Sequence, residues 1–248
     1  MQRFKIPSEI IDFHDRRMVR PSFSWFDTSS HERAHFFTVA KALDLDLLIV
    51  LKTSIADALC KGWTFETWRR ALLPSLAAIA WHRPRIVDDP LGLRAPEEAD
   101  FTDVHRLQAI FRANMAIARS AGQWIRADRT KGSFDVLYCG PAAVHACHQH
   151  VGWAGVLLPV EHPWWDHHWP PNGWGCTCSV RSVYWREKDK LLAQGIGPNG
   201  CIYRAEPPGE GGPNVLFNKR TGRIHALPDG LEYGWDGNPG RDSERPLV

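Results

Sequence analysis

The stretch from His162 to Cys178 reads HPWWDHHWPPNGWGCTC, with four Trp, three His and two Cys around a turn set by Pro170, Pro171, Asn172 and Gly173. Pro, Asn and Gly together mark a tight reversal of the chain. Gly175 then frees the backbone to curl around the sulfur of Cys176. Further upstream stand Cys147 and His150, so the pattern is C-x-x-H, a gap of about 25 residues, then C-x-C. Thiolates and imidazoles arranged as a tetrahedron are what a structural zinc prefers, and a two-residue gap in a turn lets both side chains point at one ion. Cys147, His150, Cys176 and Cys178 are therefore expected to hold one zinc that staples the fold. Its binding energy would be folding energy, and no coordination position would be left open for catalysis. Cys139, His145 and His148 stand as alternative ligands. The competing reading is two buried cysteines packed under Trp174, with His150 hydrogen-bonded in a core.

The same stretch invites a catalytic reading, because His162, Asp166, His167 and His168 are close in sequence. The Trp, Pro and Gly setting argues instead for rings that stack and donate hydrogen bonds to turn carbonyls. A thiol nucleophile at Cys147 beside His145 or His148 would need a third, orienting group, and nothing in the sequence supplies one. There is no phosphate-cradling glycine loop and no H-E-x-x-H helix. The expectation is no catalytic residue and no enzymatic activity.

Working outward, Phe134 to Tyr138, Gly155 to Val160 and Ser179 to Tyr184 read as short strands around this stretch. Trp185 to Gln194 reads as a helix closed by Gly195, and Val215 to Phe217 with Arg223 to Ala226 as a hairpin. Before it, helical spacing runs from His31 to Leu51, a short helix follows from Ser54 to Cys60, and a third carries Trp68, Leu72, Leu76 and Ile79 behind a Thr64 cap. His82 to Ala99 reads as a loop. The most regular helix spans about Thr102 to Ala127. Its apolar face uses Leu107, Ile110, Phe111, Ala118, Ala121 and Ile125, while Arg112, Arg119 and Arg126 recur every seven residues on another face. That basic stripe is a candidate contact for DNA or a protein partner, against the plainer reading of a solvated helix face.

A net charge of +2 on 248 residues does not by itself announce a polyanion partner. Glu9, Asp12 and Asp15 fall where an export signal would hold its apolar core, and the longest apolar runs are too short to span a bilayer, so a cytoplasmic origin without a membrane is expected. Six cysteines spread over the chain are sparse for a disulfide framework, which favours reduced, ligating thiols at Cys176 and Cys178.

The run GVLLPVEHPWWDHHWPPNGWGCTCSVRSV resembles the corresponding end of the phage Mu F-like minor head proteins, also called phage head morphogenesis proteins. HERAHFFTVAKAL, RLQAIFRANMAIARSAGQW and GWDGNPG extend the resemblance over most of the chain. It implies a structural virion component of a tailed phage or prophage, made in the host cytoplasm. Such a minor capsid protein would sit in the head near the portal vertex, contact portal protein or major capsid protein, and serve head assembly or genome packaging and ejection. Packaged double-stranded DNA would be a further partner. The sequence departs at CGPAAVHACHQH before His150, where many relatives carry an Asp and then Arg-Pro-x-His. Relatives with C-x-x-C there look like four-ligand zinc domains, a variant that Cys147 and His150 fit.

These readings give an α+β protein. Residues 1–30 form an N-terminal arm, 31–131 a helical region, 132–196 a small zinc-stapled α+β domain, and 197–248 a loop-rich tail with a hairpin. The alternative is a zinc-dependent hydrolase or nuclease, with an open metal position and an activity lost when His167 or His168 becomes Ala. A carrier for an effector partner is a weaker third reading, because the tail shows no toxin module.

Overall fold

The computed structural model describes residues 6–141, 148–209 and 211–247. Helices and short, mostly antiparallel strands mix along the chain, as expected for an α+β protein. The first half comprises α1 (Ser8–Arg16), β1 (Met18–Val19), α2 (Ser30–His35), β2 (Phe36–Phe37), α3 (Leu45–Lys61), α4 (Phe65–Ala78), β3 (Arg85–Val87), β4 (Glu97–Ala99) and α5 (Val104–Arg129). The helix expected from His31 to Leu51 is two helices. Ser29 and Glu32 form a reciprocal capping box that starts α2, and Phe36–Phe37 leave it as a strand parallel to β1. Asp44 then starts α3 by accepting from the Asp46 and Leu47 amides. This new helix absorbs the separate one expected at Ser54 to Cys60 and ends where Gly62 takes a left-handed φ of 63°. Thr64 caps α4 as expected, and the 82–99 loop carries the β3–β4 ribbon.

The second half comprises β5 (Asp135–Cys139), α6 (His148–Trp153), β6 (Leu157–Pro159), α7 (Trp165–His168), β7 (Ser179–Val183), α8 (Trp185–Gln194), β8 (Asn214–Asn218), β9 (Arg223–Leu227) and α9 (Pro239–Asp242). β5 is the central strand of an antiparallel sheet in the order β6-β5-β7. Because side chains alternate along a strand, the sheet has two apolar faces. Val136, Tyr138, Leu158 and Val180 join a cluster with Trp153, Trp164, Trp165 and Trp169. Leu137, Leu157 and Val183 pack on the other face, against Leu191 and Leu192 of α8.

The 26-residue α5 joins the two halves. Leu107 to Ala121 contribute to the N-terminal helical core, and Trp124, Ile125 and Ala127 to the tryptophan cluster. α1 lies against α5 at Gly122, where a Cβ would come within 2.4 Å of Ile10 Cγ1. The tail folds back over both halves, with Trp235 in the first core and Leu231 in the second.

Candidate metal centre

Asn172 fixes the turn. It is fully buried, its Oδ1 accepts from the Tyr138 hydroxyl at 3.0 Å, and its Nδ2 donates to the His167 carbonyl at 3.2 Å. The Pro170–Pro171 peptide is cis, and Ser120 Oγ on α5 donates to the Pro170 carbonyl. Trp169 Nε1 donates to the Ser120 carbonyl and Trp165 Nε1 to Pro159, so the tryptophans anchor the turn to α5 and the sheet. Beyond the turn, the Trp174 amide donates to Glu232 Oε2 of the tail at 3.0 Å.

This scaffold carries Cys176 and Cys178 up to His150 on α6. One ligand atom from each lies within 4.8 Å of the other two. Cys176 Sγ and His150 Nδ1 are 3.7 Å apart, close to the roughly 3.6 Å edge that sulfur and nitrogen ligands span across a tetrahedral zinc. His150 Nε2 is 2.9 Å from the Gly230 carbonyl, which can only accept. Nε2 therefore carries a proton, and Nδ1 is the nitrogen that faces the thiols and would ligate once its own proton is displaced. Trp153 stacks on the ring at 4.7 Å and holds its orientation.

The electrostatics favour an ionised thiol. The hydrogen bond from Cys178, with further help from His150 and backbone groups, outweighs burial and brings Cys176 down to about 4. Burial works against a charged His150, but the Cys176 sulfur, the Gly230 carbonyl and Glu232 together hold it above its ordinary value. Such a pair releases protons when a cation displaces them, which is the chemistry of a thiolate–imidazole metal site.

Three of the four expected ligands thus come together. Cys147 and the alternative His145 lie outside the described residues. Among the described residues, Cys139 and His148 are not in the cluster. Cys139 instead sits beside the Leu137 carbonyl, with burial raising its thiol above the usual range. The other histidines of the stretch are engaged elsewhere. His168 stacks on Trp164 at 4.3 Å with its Nδ1 on the Trp164 carbonyl, and burial pushes it down to about 4. His167 Nδ1 meets the Asp236 carbonyl at 2.8 Å, and His162 Nδ1 accepts from the Trp164 amide.

Arg112, Arg119 and Arg126 are exposed on α5. Arg112 and Arg119 edge a recess of about 780 Å³ that the Gly173–Thr177 loop walls on its far side, whereas Arg126 borders a separate recess against β7. Gly230 and Glu232 support the site from the tail and are not among the residues the sequence marks. Their only signal was the turn-rich DGLEYGWDGNPG itself.

The Phage Mu protein F like protein family matches residues 50–181, more than half of the chain, and the chain belongs to that family. Over 242 residues it is 26% identical to protein F of Escherichia phage Mu, whose name assigns it to capsid assembly, covering 94% of this chain and 54% of that protein. It is also 25% identical over 165 residues to the Mu-like prophage FluMu F protein of Haemophilus influenzae, covering 65% of this chain and 38% of the relative. The chain therefore spans about half the length, or less, of these curated relatives. No solved structure matches significantly. Among the described residues, no helix is long and apolar enough to cross a membrane.

Proposed function

We propose that this chain is a structural minor head protein. In this reading it joins the assembling head near the portal vertex, contacts portal or major capsid protein, and contributes to assembly or to packaging and ejection of the genome without catalysing a reaction. The observation that supports the reading is similarity along 94% of the chain to a phage Mu protein named for capsid assembly. The segments 1–30, 31–131, 132–196 and 197–248 are proposed as its arm, helical region, metal-stapled domain and tail. In the phage that encodes it, loss of the gene should abolish DNA-filled heads, and the chain should fractionate with heads rather than tails. A normal yield of filled heads without it would sink the proposal.

Within that protein, the role proposed for Cys176, Cys178 and His150, with Cys147 as fourth ligand, is to hold one structural zinc. All four positions are then protein side chains, which sets the reading apart from a zinc hydrolase or nuclease with an open position. His167 and His168 each have Nδ1 held at a backbone carbonyl, and His168 is buried against Trp153 and Trp164, which fits a packing role in the turn. Purified protein should carry one zinc per chain by elemental analysis, and Cys176→Ser should lose it. Chelation should destabilise the chain by about 3 kcal/mol or more, a fall of roughly 6–12 °C in melting temperature for a domain of this size. Full stability and no bound zinc would refute the site.

The exposed Arg112, Arg119 and Arg126 are proposed as partner contacts. Packaged double-stranded DNA is the competing occupant, and it predicts binding that weakens steeply with salt and with Arg→Ala changes at all three positions. The concave setting of Arg112 and Arg119 favours a protein segment.

A further inference from the structure

Two guanidiniums are buried in the N-terminal core without a carboxylate. Arg17 is 2% exposed and Arg33 8%. Arg17 donates to the Phe36 carbonyl and to Asn114 Oδ1. Arg33 donates to the Trp25 carbonyl, stacks on Trp174 and Trp235, and leaves its buried Nε without a partner. Asp236 favours the charge of Arg33 from a distance, but among the described residues no ion pair joins either arginine to an acid. Burial, with mutual repulsion from Arg33, holds Arg17 down to about 9, and burial holds Arg33 down to about 10. A buried cation that has hydrogen bonds but no counter-charge is costly, and an arriving anion relieves that cost.

Both side chains line a cavity of about 300 Å³ whose other cation is Arg106 and whose walls include Trp25, Val39, Ile110 and Trp174. Ala109, Ala113 and Trp174 are shared with the neighbouring 780 Å³ recess edged by Arg112 and Arg119. The two form one groove along α5. Among the described residues lining it there are five arginines and no Asp or Glu.

We propose that this groove docks an acidic segment of a partner protein. One carboxylate sits between Arg17, Arg33 and Arg106, an adjoining apolar side chain lies on Trp25 and Trp174, and further carboxylates reach Arg112 and Arg119. Guanidinium matches carboxylate in planar, bidentate geometry, and the mostly apolar walls have no counterpart in a sugar-phosphate backbone. The inference rests on the head-assembly reading only for the existence of a protein partner.

The test uses the full chain and a labelled peptide with two glutamates on each side of a Leu–Phe pair, compared with the same peptide carrying glutamine throughout. In fluorescence anisotropy at roughly 0.1 M salt, the glutamate peptide should bind at least about 10-fold more tightly. Arg17 and Arg33 are structural enough that their variants can fail to fold, so the decisive variant is the exposed pair Arg112→Glu with Arg119→Glu. It should weaken the glutamate peptide by about 10-fold or more while leaving the melting temperature unchanged. A duplex of about 20 base pairs should not displace the peptide at equal charge. No binding of the glutamate peptide, equal binding of both peptides, indifference to the charge-reversed pair, or displacement by the duplex each overturns the proposal. These outcomes are independent of whether the gene is needed for filled heads.

Discussion

His150 has one ring nitrogen committed to Gly230 and the other turned towards two thiols, so a residue outside the proposed ligand set orients one of its members. Gly230 has a φ of +84°, and a Cβ there would fall 2.6 Å from Gln149 Cβ and 2.9 Å from Trp153 Cζ2. Gly230→Ala should therefore displace the tail from α6, loosen the imidazole and lower zinc affinity by about 10–100-fold, as loss of an orienting partner does. Competition with a chromophoric chelator measures this; unchanged affinity would show that the carbonyl is dispensable. At this scale the sequence revealed donors but not their orienters. Cys176, Cys178 and His150 are legible because few other roles bring thiols and imidazole into that spacing. The carbonyl of Gly230, eighty positions from His150, leaves no mark on its own residue type. Arg17 and Arg33 were equally silent, since an arginine in a mixed-charge N-terminal segment reads as exposed until the fold buries it.

Among the elements, α5 sets the geometry for everything else, and its packing depends on the absence of side chains at particular points. Gly122 admits the backbone of α1, with Ile10 N 2.9 Å and Ile10 Cα 3.0 Å from where a Cβ would stand. On another side, Gly240 of α9 lies against Trp124 and the Ala121 carbonyl. Alanine at position 122 would gain up to about 1 kcal/mol of helix propensity, but backbone cannot yield as a flexible side chain can. Gly122→Ala is expected to destabilise the chain by a net 1–3 kcal/mol, roughly, by forcing α1 outward. Urea unfolding would show it, and a stabilised variant would mean that α1 shifts freely. Elements with strong ends were readable: α8 closes at Gly195, and β8 and β9 flank a turn at Asn218 to Gly222. Phe36 to Asp44 is not helical, although Phe36, Val39, Ala40, Leu43 and Leu47 keep helical spacing. The caps at Ser29 and Asp44 and the extended preference of Phe36 and Phe37 outweigh that spacing.

At the scale of the molecule, the tail acts as a clasp, and charge holds it shut. Arg220, in the turn between β8 and β9, pairs with Asp27 of the N-terminal segment and makes a bidentate contact with Asp89 at 2.8 and 2.9 Å, while stacking on Phe23. The Arg220 guanidinium holds Asp89 down to about 2, from an ordinary 3.8. A carboxyl depressed on folding contributes stability that is complete above its unfolded value, and the contribution is lost as pH falls through its folded value. The clasp should therefore hold above pH 4 and weaken between about pH 4 and 2. His14 and His168 act earlier on the acid side. Burial holds each down to about 4 against an ordinary 6.5, so the folded state resists their protonation and the stability they contribute declines from pH 6.5 towards 4, partly offset by Asp242, whose carboxyl burial pushes up to about 6. Acid unfolding of the native chain should thus show two successive losses. Arg220→Met keeps the stack on Phe23 but removes the counter-charge, and should lower the melting temperature at pH 7 while removing most of the loss below pH 4. Melting curves at half-unit pH steps separate the two. If the variant keeps the full dependence below pH 4, the tail is held by its apolar contacts at Leu231 and Trp235 rather than by this charge.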